Sequence, residues 1–179
     1  MEKTIIKITI GLLVLTSITL SYLLYEKNER EKEIQRDLYI YFIDNEIFFA
    51  NQFNVLSDST AEEIMDSSLA VNNLKSFSYS LLEYTNSPIR SYLGFPFELK
   101  EFMYYTANEV NLLYDKFITK TLTQDDLITI KELNSAHQSF IEGMDLKYLE
   151  RMENSPIKDI REDLQKRINA INDEGRRKD

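Results

Sequence analysis

His137 is the only histidine in the 179-residue chain, and its imidazole is the one side chain suited to acid–base work near neutral pH. It falls on the apolar face of a helical pattern, between Leu133 and Phe140. Catalysis there would require a nucleophile and an orienting carboxylate within hydrogen-bond reach, and no local spacing supplies either. The residue types favour a buried histidine satisfied by a neighbouring hydroxyl or carbonyl. Asn45 and Gln52 interrupt an earlier apolar stripe. With His137 they are the candidates for a buried polar or pH-sensitive site, or for the wall of a ligand pocket between helices.

Other chemistry finds less support. A di-iron carboxylate bundle draws Glu-x-x-His from two helices; here a single histidine is preceded at three residues by Asn134. The His-Glu-x-x-His pattern of zinc proteases is absent, and Asp125-Asp126 reads as favourable charge at a helix start. With no cysteine, thiolate catalysis, disulfides and cysteine-ligated metals drop out together. Two carboxylates suffice for glycoside hydrolysis, and Glu83, Glu98, Glu101 and Glu109 could be nominated for a cell-wall hydrolase. Sugar clefts favour aromatic platforms, however, and the chain has no tryptophan. The expectation is therefore no catalytic residue, no cofactor and no metal.

Aromatic residues are the remaining oddity, with 11 Tyr and 10 Phe. Most of them suit a core, but Tyr92, Phe95 and Phe97 cluster around Gly94 in a connector and form the candidate interaction surface.

These residues have to be positioned by helices, because no stretch shows sustained strand alternation. Thr4 to Tyr25 is an apolar run of 22 residues broken by Lys7 alone. At about 1.5 Å per residue it can cross a hydrocarbon core about 30 Å thick. An uncleaved signal anchor is the favoured reading, ahead of a cleaved signal peptide and a buried soluble helix. A naive count of Lys27, Arg30, Lys32 and Arg36 after the span argues for a cytoplasmic carboxyl side. A short basic tail before an apolar run and a long domain argues the other way, and an extracytoplasmic domain is preferred.

Residues 26–37 alternate in charge, with Glu26–Arg30 and Glu33–Arg36 at helical spacing, and read as a solvated stalk. Residues 38–175 read as the bundle, and 176–179 as a basic tail. Its first stripe is Ile34, Leu38, Tyr41, Phe48 and Val55, alternating four and three, with Asn45 and Gln52 between; Phe42, Ile43, Ile47, Phe49 and Phe53 widen it beyond a two-stranded seam, so a bundle is the better reading. Capping boxes at Ser59–Glu62 or Thr60–Glu63 and at Thr123–Asp126 mark helix starts. Pro88 ends the second helix, and Pro96 suits the first turn of the third. A fourth helix carries Leu127 to Met144 on its apolar face, weakened by Gly143, and a fifth follows Pro156 and stops at Gly175. The expected fold is all-α: a transmembrane helix continuing into a stalk, then an antiparallel bundle of four to five helices.

Without residues 1–25, and so without Lys3, Lys7 and Glu2, 19 basic and 29 acidic side chains remain, a net charge of −10. That opposes binding to nucleic acid. The expected function is a single-pass protein of the bacterial cell envelope with a non-catalytic protein-interaction role, accessory, assembly or inhibitory. Its expected partners are the membrane and an envelope protein, with self-association left open. The alternatives are an extracytoplasmic ligand-sensing bundle and, behind it, the hydrolase.

Overall fold

Seven helices carry the described backbone, and no strand occurs among the described residues. The computed structural model describes the backbone of residues 2–86 and 93–176 and the side chains of residues 9–86 and 93–172. The helices are α1 (Glu2–Ser57), α2 (Ala61–Asp66), α3 (Ser68–Asn86), α4 (Phe97–Ile118), α5 (Gln124–Ile141), α6 (Leu146–Glu153) and α7 (Ile157–Arg176). The expected all-α bundle with a long amino-terminal helix is what the chain forms.

Helix α1 is a single element of 56 residues. No glycine or proline occurs between Leu12 and Ser57, so nothing in its chemistry introduces a kink. Its apolar start has exposed side chains, from Ile10 at 56 % to Tyr25 at 65 %. The charged stretch that follows is laced by Arg30–Glu26 at 3.3 Å, Lys27–Glu31 at 3.7 Å and Lys32–Glu29 at 2.7 Å. Each such exposed pair contributes a few tenths of a kcal/mol. From Leu38 onward the same helix enters the bundle, where it packs antiparallel to α5. Gln138 Nε2 donates to Ala50 O at 2.9 Å, and Asn134 Nδ2 donates to Ser57 Oγ at 3.0 Å. Helix α3 lies along α4 and α1, and α7 closes over α4 and α5.

The core is aromatic. Phe42 meets Phe95 at 4.9 Å and Tyr84 at 5.5 Å, and Phe49 stacks on Phe77 at 4.0 Å. Rings at these distances add about 0.5–1.5 kcal/mol each to their area burial.

Three expectations require correction. On α1 the residues that widen the first stripe form the buried face, and most of the stripe itself stays half exposed. Tyr39, Phe42, Ile43, Phe49, Ala50 and Phe53 are fully buried, whereas Ile34, Tyr41, Phe48 and Val55 are 47–59 % exposed. The helix carries two apolar faces, and the bundle buries the wider one with adjacent large residues. Gly143 does not weaken the middle of a helix. Helix α5 ends at Ile141, Gly143 adopts φ +70°, and Asp145 caps α6 by accepting from Tyr148 N. A left-handed position is where glycine has no steric penalty, so it acts as a stop. The second helix is also divided, with Ser67 at φ −90° and ψ 64° separating α2 from α3. Both capping boxes form, at Thr60–Glu63 and Thr123–Asp126.

Candidate functional site

The centre of the bundle holds a buried polar chain drawn from three helices. Helix α1 supplies Glu46, α5 supplies His137 and α4 supplies Thr106, all of them 0 % exposed. His137 Nδ1 lies 2.9 Å from Glu46 Oε2, and His137 Nε2 lies 3.1 Å from Thr106 Oγ1. With Nδ1–H donating to the carboxylate, Nε2 accepts the threonine hydroxyl. Three rings enclose the imidazole: Phe53 parallel at 5.9 Å, Phe49 edge-on at 4.7 Å and Phe102 tilted at 4.7 Å. Glu46 Oε1 is buried with no hydrogen-bond partner.

Carboxylate, imidazole and hydroxyl in line is the order that activates a nucleophile in hydrolases. Here the hydroxyl is sealed. A substrate has no exposed atom of Glu46, His137 or Thr106 to approach, and both ring nitrogens are already engaged. What the arrangement can do is fix the mutual register of α1, α4 and α5, since the two contacts of the imidazole form together only in one packing.

The other nominated residues lie elsewhere. Asn45 and Gln52 are half-buried on the outer side of α1, and Asn45 Nδ2 donates to Tyr41 O at 2.8 Å, so neither joins His137. Phe95 is 3 % exposed and packs edge-on to Tyr39 at 5.2 Å, which removes it from any interaction surface. The Phe95 ring is seated against the bundle end by the apolar rings of Phe42, Tyr84 and Tyr39. Tyr92 lies outside the described residues. Phe97 is 64 % exposed, and on the same helix Tyr104 and Tyr105 are 52 % and 53 % exposed, beside a groove of about 440 Å³ shared with Thr85 and Asn86. Glu83, Glu98 and Glu101 face solvent, Glu109 is half-buried, and Glu98 accepts from Gln165 Nε2 at 3.2 Å.

Two further polar clusters tie the bundle base together. Tyr39 donates its hydroxyl proton to Leu93 O, while Arg161 Nε donates to Tyr39 Oη at 3.0 Å and to Leu93 O at 3.1 Å. Burial pushes the Tyr39 phenol up, against the pull of the Arg161 charge. The guanidinium lies directly over Gly94, where an added Cβ would stand 2.8 Å from Arg161 Nη2. Nearby, Tyr148 Oη donates to Asp163 at 2.6 Å and Arg167 Nε donates to the same carboxylate at 2.9 Å. Burial acts to raise Asp163, but these donors outweigh it and hold the carboxyl below its ordinary value. Arg167 also caps the end of α5, donating to Phe140 O at 3.0 Å and Glu142 O at 2.7 Å.

No group of three or more metal-ligating side chains occurs among the described residues. Compared with protein-family models, curated proteins and solved structures, the chain matches none.

Proposed function

We propose that the chain is a single-pass, membrane-anchored helical-bundle protein of the bacterial cell envelope, acting by binding another protein in an accessory, assembly or inhibitory role and not by catalysis. Helix α1 carries this reading. It is long and apolar enough at its amino end to cross a membrane, none of that window is covered by the rest of the described chain, and it continues unbroken into the core. The hydroxyls of Thr16 and Thr19 donate to the carbonyls of Leu12 and Leu15 at 2.8 and 3.0 Å, satisfying within the helix the polar groups that hydrocarbon would leave stranded. The sealed polar chain at His137 supports the non-catalytic half of the proposal, and it offers no free nitrogen to a diffusible ligand. The exposed rings of Phe97, Tyr104 and Tyr105 are of the kind that anchor protein interfaces.

The test is alkaline extraction of cell membranes combined with protease treatment of a carboxyl-terminal tag in intact and lysed cells. Retention in the membrane pellet at full length, with digestion in intact cells, is the expected result. Release of the full-length chain into the supernatant would refute the anchor, a band shortened at the amino end would make the protein secreted, and protection until lysis would place the bundle in the cytoplasm.

A further inference from the structure

Helix α1 presents a second apolar face that the described chain leaves about half exposed: Leu38 borders the core and Tyr41 meets Tyr84 of α3 at 6.4 Å, while the rest of each side chain is open to solvent. Ile34, Tyr41, Phe48 and Val55 recur every seven residues and are 47, 58, 48 and 59 % exposed. Leu38, Asn45 and Gln52 each follow one of the first three by four residues and are half-buried. At 3.6 residues per turn this stripe lies about 140° around the helix from the centre of the face that holds Phe42, Glu46 and Phe53. Its period is 3.5 residues. That period keeps one side of a helix in contact with a second long helix through a left-handed supercoil.

We propose that this stripe pairs with the same stripe of a second copy, giving a parallel, two-fold symmetric homodimer along α1. The pattern is self-complementary, as a two-fold interface requires. Asn45 occupies an a-type position in the repeat, where a buried asparagine specifies a parallel, two-stranded, in-register pair. The same repeat runs back through Leu24, Leu20, Ser17, Leu13 and Ile10, interrupted by Lys27 and Glu31, which are of opposite sign and one turn apart. For this part the inference rests on the anchor reading: two copies held in one bilayer have α1 already parallel and at one depth, which removes most of the orientational cost of pairing.

The area agrees. The 49 residues Thr9–Ser57 extend about 74 Å, and a contact strip about 10 Å wide covers about 700 Å² per copy, near the 800 Å² of a standard interface. The bundle part alone, from residue 34 to 55, supplies less than half of that.

The chain has no cysteine, so each single substitution places one thiol on each copy. The experiment oxidises native membranes carrying Tyr41→Cys, Phe48→Cys or Val55→Cys, with Glu33→Cys and Asn51→Cys as exposed α1 controls off the stripe. All five are solvent-accessible positions, and of the stripe residues Tyr41 alone meets a buried ring, that of Tyr84 at 6.4 Å, so positions 48 and 55 read the pairing without a change at the core. The expected result is a disulfide-linked species at twice the 21.1 kDa of one chain, formed at least tenfold more from positions 41, 48 and 55 than from the controls. Equal yields at all five, no dimer at any, or stripe products of another mass would overturn the second copy as occupant. Alkaline extraction of the same membranes reads the anchor separately. Release with stripe-specific dimers refutes the anchor and supports the pairing, whereas retention without them refutes the pairing and leaves the anchor.

Discussion

Removing one member of the Glu46–His137 pair should be far more damaging than removing both. His137→Leu leaves the Glu46 carboxylate buried at 0 % exposure with neither oxygen paired, since Oε1 already lacks a partner. Stripping one partner from a buried pair costs about 3–5 kcal/mol. Glu46→Met leaves the imidazole with a buried unmatched donor, at about 1–3 kcal/mol. The double variant fills the same space with apolar atoms among Phe49, Phe53 and Phe102, and the Thr106 hydroxyl, deprived of the imidazole, turns to a carbonyl of its own helix. An apolar replacement of such a pair then ranges from neutral to stabilising. The two single costs would sum to about 4–8 kcal/mol, so a double variant within about 1 kcal/mol of the parent implies a coupling of at least about 3 kcal/mol. The assay is urea unfolding of the full chain in detergent micelles, followed by tyrosine near-ultraviolet circular dichroism, for the four members of the cycle. At about 2–4 °C per kcal/mol for a chain of this size, His137→Leu should also lower the melting temperature by roughly 6–20 °C. Additive losses would refute the reasoning, because they would mean that the carboxylate and imidazole do not depend on each other.

Neighbouring residues on α1 should respond oppositely: Phe49→Ala costs about 3–5 kcal/mol, while Phe48→Ala costs less than about 1 kcal/mol in dilute micelles where copies are separate, both by urea unfolding. Gly94→Ala combines φ +55° with a Cβ pressed on Arg161 and should lower the melting temperature more than Gly143→Ala, which has φ +70° but nothing within 4 Å. Asp126 and Asp163 are both held below the ordinary carboxylate value. For each, burial works to raise the group; the donors that outweigh it are Lys116 and Thr123 for Asp126, and Tyr148 and Arg167 for Asp163. Stability from them is present above the unfolded value of about 3.9 and is lost as pH falls through the lowered folded values. Lys116→Met should therefore move the acid-unfolding midpoint to higher pH, and an unchanged midpoint would disprove the Asp126 contribution.

Helix starts were legible because capping is local: Thr60 with Glu63 and Thr123 with Asp126 lie three residues apart and form where expected. That Phe42, Ile43, Phe49 and Phe53 face a bundle was legible too, but not that the stripe beside them stays half exposed. Ile34, Tyr41, Phe48 and Val55 make the cleaner repeat, yet a bundle rewards total buried area, and the face with Phe42–Ile43 and Phe49–Ala50 doublets has more of it. Glu46 was missed for a related reason. A glutamate on a helix ordinarily reads as a solvated position, and His137 stands 91 residues away. The available signal was its place between Phe42–Ile43 and Phe49–Ala50, at the centre of the wide face. The meeting of Thr106 with His137, 31 residues apart on different helices, required the fold. The Gly143 stop was visible in Asp145, three residues before Tyr148, had it been read as a cap.

The unbroken α1 has a consequence for reach. A tethered domain on a flexible linker sweeps a hemisphere, whereas a helix without glycine or proline after Gly11 acts as a mast. With its apolar end in a bilayer, the 12 residues 26–37, nine of them charged, would lift the bundle by about 18 Å and no further. Under the proposed anchoring, the acidic bundle would stand over a surface whose anionic headgroups repel it. Whatever meets it must come to that height, and any rotation of the anchor turns Glu46, in the heart of the bundle, through the same angle.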